Sequence, residues 1–122
     1  MNKHNPLDSV RIVLSHTSHP GNIGAAARAM KTMGLGTLYL VNPKSFPDPA
    51  AIARATGALD VLERARVCSS LDEALHGTVL AVACTARSRD LAHETLTARE
   101  AAPVLLEHSL QGPVALLFGT EM

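Results

Sequence analysis

A chain of 122 residues is long enough for one domain with its own core and too short for two. Hydrophobic residues make up 47% but aromatic residues only 2%, so the core has to be built from Leu, Val, Ile, Ala and Met. The formal net charge is zero, which excludes nucleic-acid binding by bulk electrostatics and leaves only a local patch for it.

Residues 1–9 read as a polar leader without the apolar stretch of a signal peptide. Val10-Arg11-Ile12-Val13-Leu14 is a short β-branched run and predicts a strand. It breaks at His16–Gly21, a cluster of turn formers. A helix is expected from about Asn22, as N-cap, to Met33, with Gly34 as its stop and Ile23, Ala26, Ala27, Met30 and Met33 as its apolar stripe. Thr37–Val41 predicts a second strand, ended by Asn42-Pro43. A loop punctuated by Pro43, Pro47 and Pro49 leads to a helical stretch near Ala50–Thr56, closed by Gly57. Arg66-Val67-Cys68 is a short strand candidate. Ser70-Leu71-Asp72-Glu73 is a capping box opening a short helix that ends at Gly77. Val79–Thr85 is the most apolar run and predicts a strand buried on both faces. Thr97-Ala98-Arg99-Glu100 is a second capping box, for a helix to about Leu110, and Pro113–Phe118 predicts the last strand. Alternating strands and helices predict an α/β fold, a parallel sheet with helices on both faces.

Nothing in the chain is long and apolar enough to span a membrane, and the expectation is a soluble, cytoplasmic protein. Cys68 and Cys84 both stand in apolar runs and read as reduced, buried thiols.

Ligands of open parallel sheets bind beyond the carboxyl ends of the strands, which singles out three loops. The first, Pro20-Gly21-Asn22-Ile23-Gly24, runs into a helix. Its glycines allow close backbone approach, its free amides favour an anion, and Arg28 and Lys31 extend the Gly24 face. A capped helix with a solvated cationic edge explains the same residues. The second loop, Thr85–Asp90, pairs small residues with Arg87 and Arg89, suited either to phosphates or to a plain surface turn. The third, Gly119-Thr120-Glu121, puts a glycine directly after a core strand. His16 and His19 lack partners at metal-ligand spacing and read as hydrogen-bonded loop histidines, so no metal is expected. There is no G-x-S-x-G elbow.

Taken together, Ile12-Val13-Leu14 and Thr17–Gly34, Leu40-Val41-Asn42-Pro43, Thr85–Arg89 and Phe118-Gly119-Thr120-Glu121 closely resemble the motifs of the SPOUT superfamily of RNA ribose methyltransferases. Within it the chain looks most like the bacterial tRNA cytidine/uridine 2′-O-methyltransferases that act at position 32 of the anticodon loop. The resemblance implies a parallel sheet whose C-terminal segment threads a trefoil knot, S-adenosyl-L-methionine as cofactor, tRNA as substrate, and a homodimer whose active sites each draw on both subunits. It implies Asn22 and Arg28 on the catalytic side, and Cys84, Thr85, Ala86, Gly119 and Glu121 at the cofactor. Lys31, Arg87 and Arg89 are then the candidate RNA contacts.

In the family the second motif continues past the glutamate to Gly-Leu and a third, Ser-Leu-Asn motif follows, whereas this sequence stops at Met122; Thr120 also stands where close relatives carry arginine. The expectation is therefore residues 10–122 as an incomplete domain without its knot-forming segment, exposing apolar surface meant for it. A truncated, inactive remnant that keeps an RNA-binding or dimerising surface is the alternative, and an unrelated phosphate-binding α/β enzyme a third reading.

Overall fold

The computed structural model describes residues 6–84 and 98–118. A 3₁₀ turn at Pro6–Ser9, inside the expected leader, runs into β1 (Val10–Ser15). There follow α1 (Pro20–Met33), β2 (Thr37–Val41), α2 (Pro49–Ala55), α3 (Leu59–Glu63), β3 (Arg66–Cys68), α4 (Leu71–Leu75), β4 (Leu80–Cys84), α5 (Ala98–His108) and β5 (Val114–Phe118). The described strands form one sheet in the order β3-β2-β1-β5-β4, with every pairing parallel. The knot implied by the resemblance rests on segments past Phe118, outside the described residues.

Alternation along the strands sorts the core into two layers. Ile12, Leu38, Leu40 and Leu116 meet Ile23, Ala27 and Met30 of α1, Ala51 and Ala55 of α2, Val61 of α3 and Leu105 of α5. On the other face Val13, Val41, Cys68 and Ala115 pack with Ala74 of α4, and Leu75 leans on them. Helices thus cover both faces, as expected. Cys68 is a buried free thiol, and burial pushes its pKa up, with the Glu73 carboxylate adding to the shift.

Three local expectations need correction. Helix α1 starts two residues before Asn22. Pro20 takes the first helical position, where its missing N–H costs nothing and its fixed φ suits the helix. His19 is the N-cap, without a side-chain bond, and Asn22 lies in the first turn, its N–H bonded to the His19 carbonyl at 2.9 Å. Helix α3 was not expected, because Ala58 before it carries no capping group. Strand β4 is an edge strand, not one buried on both faces: Ala81 and Ala83 are exposed, while Leu80 and Val82 lean on the core. The Ser70 capping box forms, with the Ser70 hydroxyl accepting the Glu73 N–H at 3.1 Å. Glu73 reaches back one residue further than expected, to the Ser69 N–H at 3.0 Å.

Two half-buried carboxylates fasten the helices on the α1 side. Asp48 caps α2, accepting the Ser45 hydroxyl at 2.6 Å and the Ala50 N–H at 2.9 Å, and both bonds lower its pKa. Asp60 of α3 accepts the Lys31 ammonium at 2.7 Å, which lowers its pKa, and Arg64 at 3.1 Å. A carboxyl held below its ordinary value of 3.8 stabilises the fold fully above that value, and this contribution fades as pH falls through the lower folded value. Thermal melts followed by circular dichroism are therefore expected to decline below about pH 4, and Asp48→Asn with Asp60→Asn to flatten that decline. An unaltered acid profile in the double variant would remove these carboxylates from the account.

Candidate active site at the carboxyl edge of the sheet

Strands β4, β5 and β1 are neighbours and end within one residue of each other: Cys84 pairs with Phe118, and Phe118 with Leu14, the residue before the end of β1. The strands that precede the three loops singled out in the sequence therefore end side by side, at the edge where parallel sheets take their ligands. Strand order brings this about, since β5 inserts between β1 and β4. Cys84 is placed here by its backbone. Thr85, Ala86, Arg87, Arg89, Gly119 and Glu121 lie outside the described residues.

The β1–α1 connection is tied to its neighbours. His16 has φ 57° and Asn42 φ 46°, left-handed values that cost a non-glycine residue roughly 1–2 kcal/mol, least for asparagine. The His16 N–H bonds the Val41 carbonyl at 2.7 Å, and the Asn42 N–H bonds that of Cys68 at 3.0 Å. The Asn42 side chain donates to the Ser69 carbonyl at 3.0 Å, and the Lys44 N–H bonds the Thr17 carbonyl at 3.0 Å. The His16 ring lies 2.8 Å from the Ser15 hydroxyl, a hydrogen-bonded loop histidine as expected. This strapping holds the ends of β1, β2 and β3 in one frame and fixes where α1 begins. Among the described residues no group of three His, Cys, Asp or Glu could hold a metal ion.

The glycines of the first loop are used differently from one another. A Cβ on Gly24 would lie 2.2 Å from the Ala51 carbonyl oxygen and 2.8 Å from the Arg54 Cβ. The close approach that Gly24 permits is to the backbone of α2, a partner within the chain. A Cβ on Gly21 would meet the Arg54 guanidinium at 3.6 Å. The exposed Arg54 thus joins the start of α1 from more than thirty positions away, and no local signal in the sequence announces it.

The candidate side chains of α1 fall on three sides. Arg28 is exposed, and its guanidinium has no hydrogen bond or ion pair among the described residues. Lys31, expected to face RNA, is held by Asp60, so its charge is matched. Asn22 is six residues before Arg28, about 9 Å along the axis and roughly 120° around it. It faces an apolar groove of about 600 Å³ lined also by Ala25, Ala29 and Met33 of α1, Leu105 and Leu106 of α5, and Phe118. The helix therefore does not bring Asn22 and Arg28 together within one chain. Met33 and Leu110 stay 59% and 76% exposed.

Fold and edge together define a parallel α/β domain, a class whose ligands sit at the strand ends. The chain belongs to the SpoU rRNA Methylase family, which it matches over residues 9–122. It is 53% identical over 116 residues to the tRNA (cytidine/uridine/adenosine-2′-O-)-methyltransferase TrmJ of Pseudomonas aeruginosa, a match covering 94% of this chain and 45% of that protein. It is likewise 53% identical over 115 residues to the tRNA (cytidine/uridine-2′-O-)-methyltransferase TrmJ of Sodalis glossinidius, with 94% and 45% covered. Among solved structures it is similar to a probable methyltransferase from Bordetella pertussis Tohama I, with TM-score 0.85 and 48% identity over 95% of this chain and 72% of that one. TrmJ from Z. mobilis ZM4 superposes with TM-score 0.79 and 38% identity over 89% and 48%. The chain spans about half the length of the curated relatives it matches. The family resemblance and the fold class read from the sequence are both borne out.

Proposed function

We propose that this chain carries the methyl-transfer unit of an S-adenosyl-L-methionine-dependent tRNA 2′-O-methyltransferase, acting in the cytoplasm on cytidine or uridine at position 32 of the anticodon loop. The observation that carries the reading is an exposed Arg28, whose guanidinium has no hydrogen bond or ion pair among the described residues, on a helix springing from the edge where β1, β5 and β4 end within one residue of each other. The names of the TrmJ relatives support the substrate and the ribose oxygen.

The level ends of β4 and β5 fit a cofactor, because parallel strands ending together leave a crevice lined by backbone. Cys84, Thr85, Ala86, Gly119 and Glu121 would hold it there, and bound S-adenosyl-L-methionine supplies an electrophilic methyl on its sulfonium. The remaining work falls to side chains. Arg28 is always protonated and cannot act as a base. It would grip the phosphate beside the target ribose and polarise the 2′-hydroxyl, so that the oxygen could meet the methyl in line while its proton passes to solvent water. Arg87 and Arg89 add phosphate contacts, while Lys31 contributes little beyond its bond to Asp60. A homodimer whose sites use both subunits accounts for Asn22 and Arg28 facing different ways, and the apolar groove beside Asn22 supports such a covered face.

The test is transfer of labelled methyl to an unmodified tRNA transcript, with the product mapped by its resistance to alkaline cleavage. Label at one anticodon-loop pyrimidine is the expected result. Binding of tRNA without any transfer would overturn the enzymatic reading in favour of an RNA-binding remnant.

A further inference from the structure

The sheet face opposite α1 carries a second cleft, of about 560 Å³, lined by Arg11, Tyr39, Arg66, Cys68, Glu73 and His76. It runs along the β3 side of the sheet, from Arg11 near the start of β1 to Cys68 at the end of β3. Arg11 stands 4.9 Å and Arg66 5.9 Å from the centroid of the Tyr39 ring. One aromatic ring thus gathers two guanidinium groups, each attracted to its face. Arg11 is fixed further: its Nη1 donates to the carbonyls of Ala74 at 2.9 Å and His76 at 2.8 Å, at the end of α4. Arg66 is exposed and has no hydrogen bond or ion pair among the described residues.

The charge of this cleft is unbalanced. Its one carboxylate, Glu73, spends Oε1 on the Ser69 N–H at 3.0 Å and the Ser69 hydroxyl at 3.2 Å. Among the described residues two permanent cations therefore face one carboxylate, which leaves the cleft a net positive charge. Like charges held together raise each other's energy, and an incoming anion relieves this. A guanidinium offers a planar pair of donors that matches a phosphate, and an arginine already resting on a ring has less freedom to lose on binding.

We propose that this cleft binds a backbone phosphate of the tRNA at a distance from the nucleotide being modified, with Arg66 as the phosphate ligand and Tyr39 as its platform. The inference rests on the reading of tRNA as the substrate. Because the cleft is on the far face of the sheet from α1, it acts on affinity for the whole tRNA and leaves the chemical step alone.

The experiment is fluorescence anisotropy of the full chain with an end-labelled tRNA transcript, titrated with salt between about 50 and 200 mM. Arg66→Ala is expected to weaken binding three- to tenfold and to reduce the slope of log affinity against log salt by about one. Arg66→Glu should weaken it further, and Arg66→Lys should keep the slope. In methyl transfer the same variants should raise KM and leave kcat unchanged. Arg66 is exposed, so all three should melt with the parent chain. If Arg66→Glu binds tRNA with unchanged affinity and slope while Arg28→Ala weakens binding, the cleft is not a phosphate site and the tRNA reading stands. If the parent chain binds no tRNA, that reading falls and the inference with it.

Discussion

Gly24→Ala is expected to lower the melting temperature of this protein more than any other one-carbon change in α1. The added Cβ would stand 2.2 Å from the Ala51 carbonyl oxygen and 3.0 Å from its carbon, both backbone atoms that cannot rotate away. Helices α1 and α2 would have to separate, and the core residues Ile23, Ala27, Ala51 and Ala55 would separate with them. Overpacking of this kind costs about 1–3 kcal/mol. For a domain of this size that corresponds to a fall of roughly 5–20 °C. Gly36→Ala supplies the control: nothing lies within 4 Å of its added Cβ, and its φ is outside the left-handed region. There the smaller entropy of the unfolded chain should raise stability by about 0.4–1 kcal/mol. Equal melting temperatures for the two variants would show that α1 and α2 do not meet through Gly24.

Gly24 also shows where reading the sequence stopped. A glycine after a strand and turn signals close approach, and close approach occurs, yet nothing local says whether the partner is a ligand or another helix. The elements with local chemistry were legible. Thr37–Val41 is a strand within its expected bounds, Gly34 ends α1 with φ 83°, and Ser70 caps α4. Helix α3 was not legible, because five residues without a cap draw their order from tertiary contact: Val61 and Leu62 in the core and Asp60 on Lys31. Nor was the edge position of β4, since an apolar run reports how much a strand is buried and not its place in the order. The site divides the same way. Arg28 and the three loops came from the residues and their family likeness. The pairing of Lys31, twenty-nine positions from Asp60, and the Arg11–Tyr39–Arg66 cluster came only from the fold.

Arg28→Ala is expected to reduce methyl transfer to tRNA at least a hundredfold in kcat while cofactor affinity stays within about twofold, since a misplaced reacting group alone costs on the order of 10² in rate. The separation of the two effects follows from position. Arg28 lies in the interior of α1, well past its start, whereas the proposed cofactor residues follow β4 and β5. Its side chain is exposed and without a described partner, so truncation leaves no buried charge behind and the fold should be untouched. Arg28→Lys keeps the charge but loses the two-donor fork, and should recover tRNA binding better than it recovers rate. Lys31→Ala is the comparison, one turn further along the same helix: it removes an exposed ion pair with Asp60, worth little, and should leave transfer nearly intact. Calorimetric titration with S-adenosyl-L-methionine, beside single-turnover transfer, separates the possibilities. Loss of cofactor binding in Arg28→Ala would move this arginine from the substrate side of the site to the cofactor side.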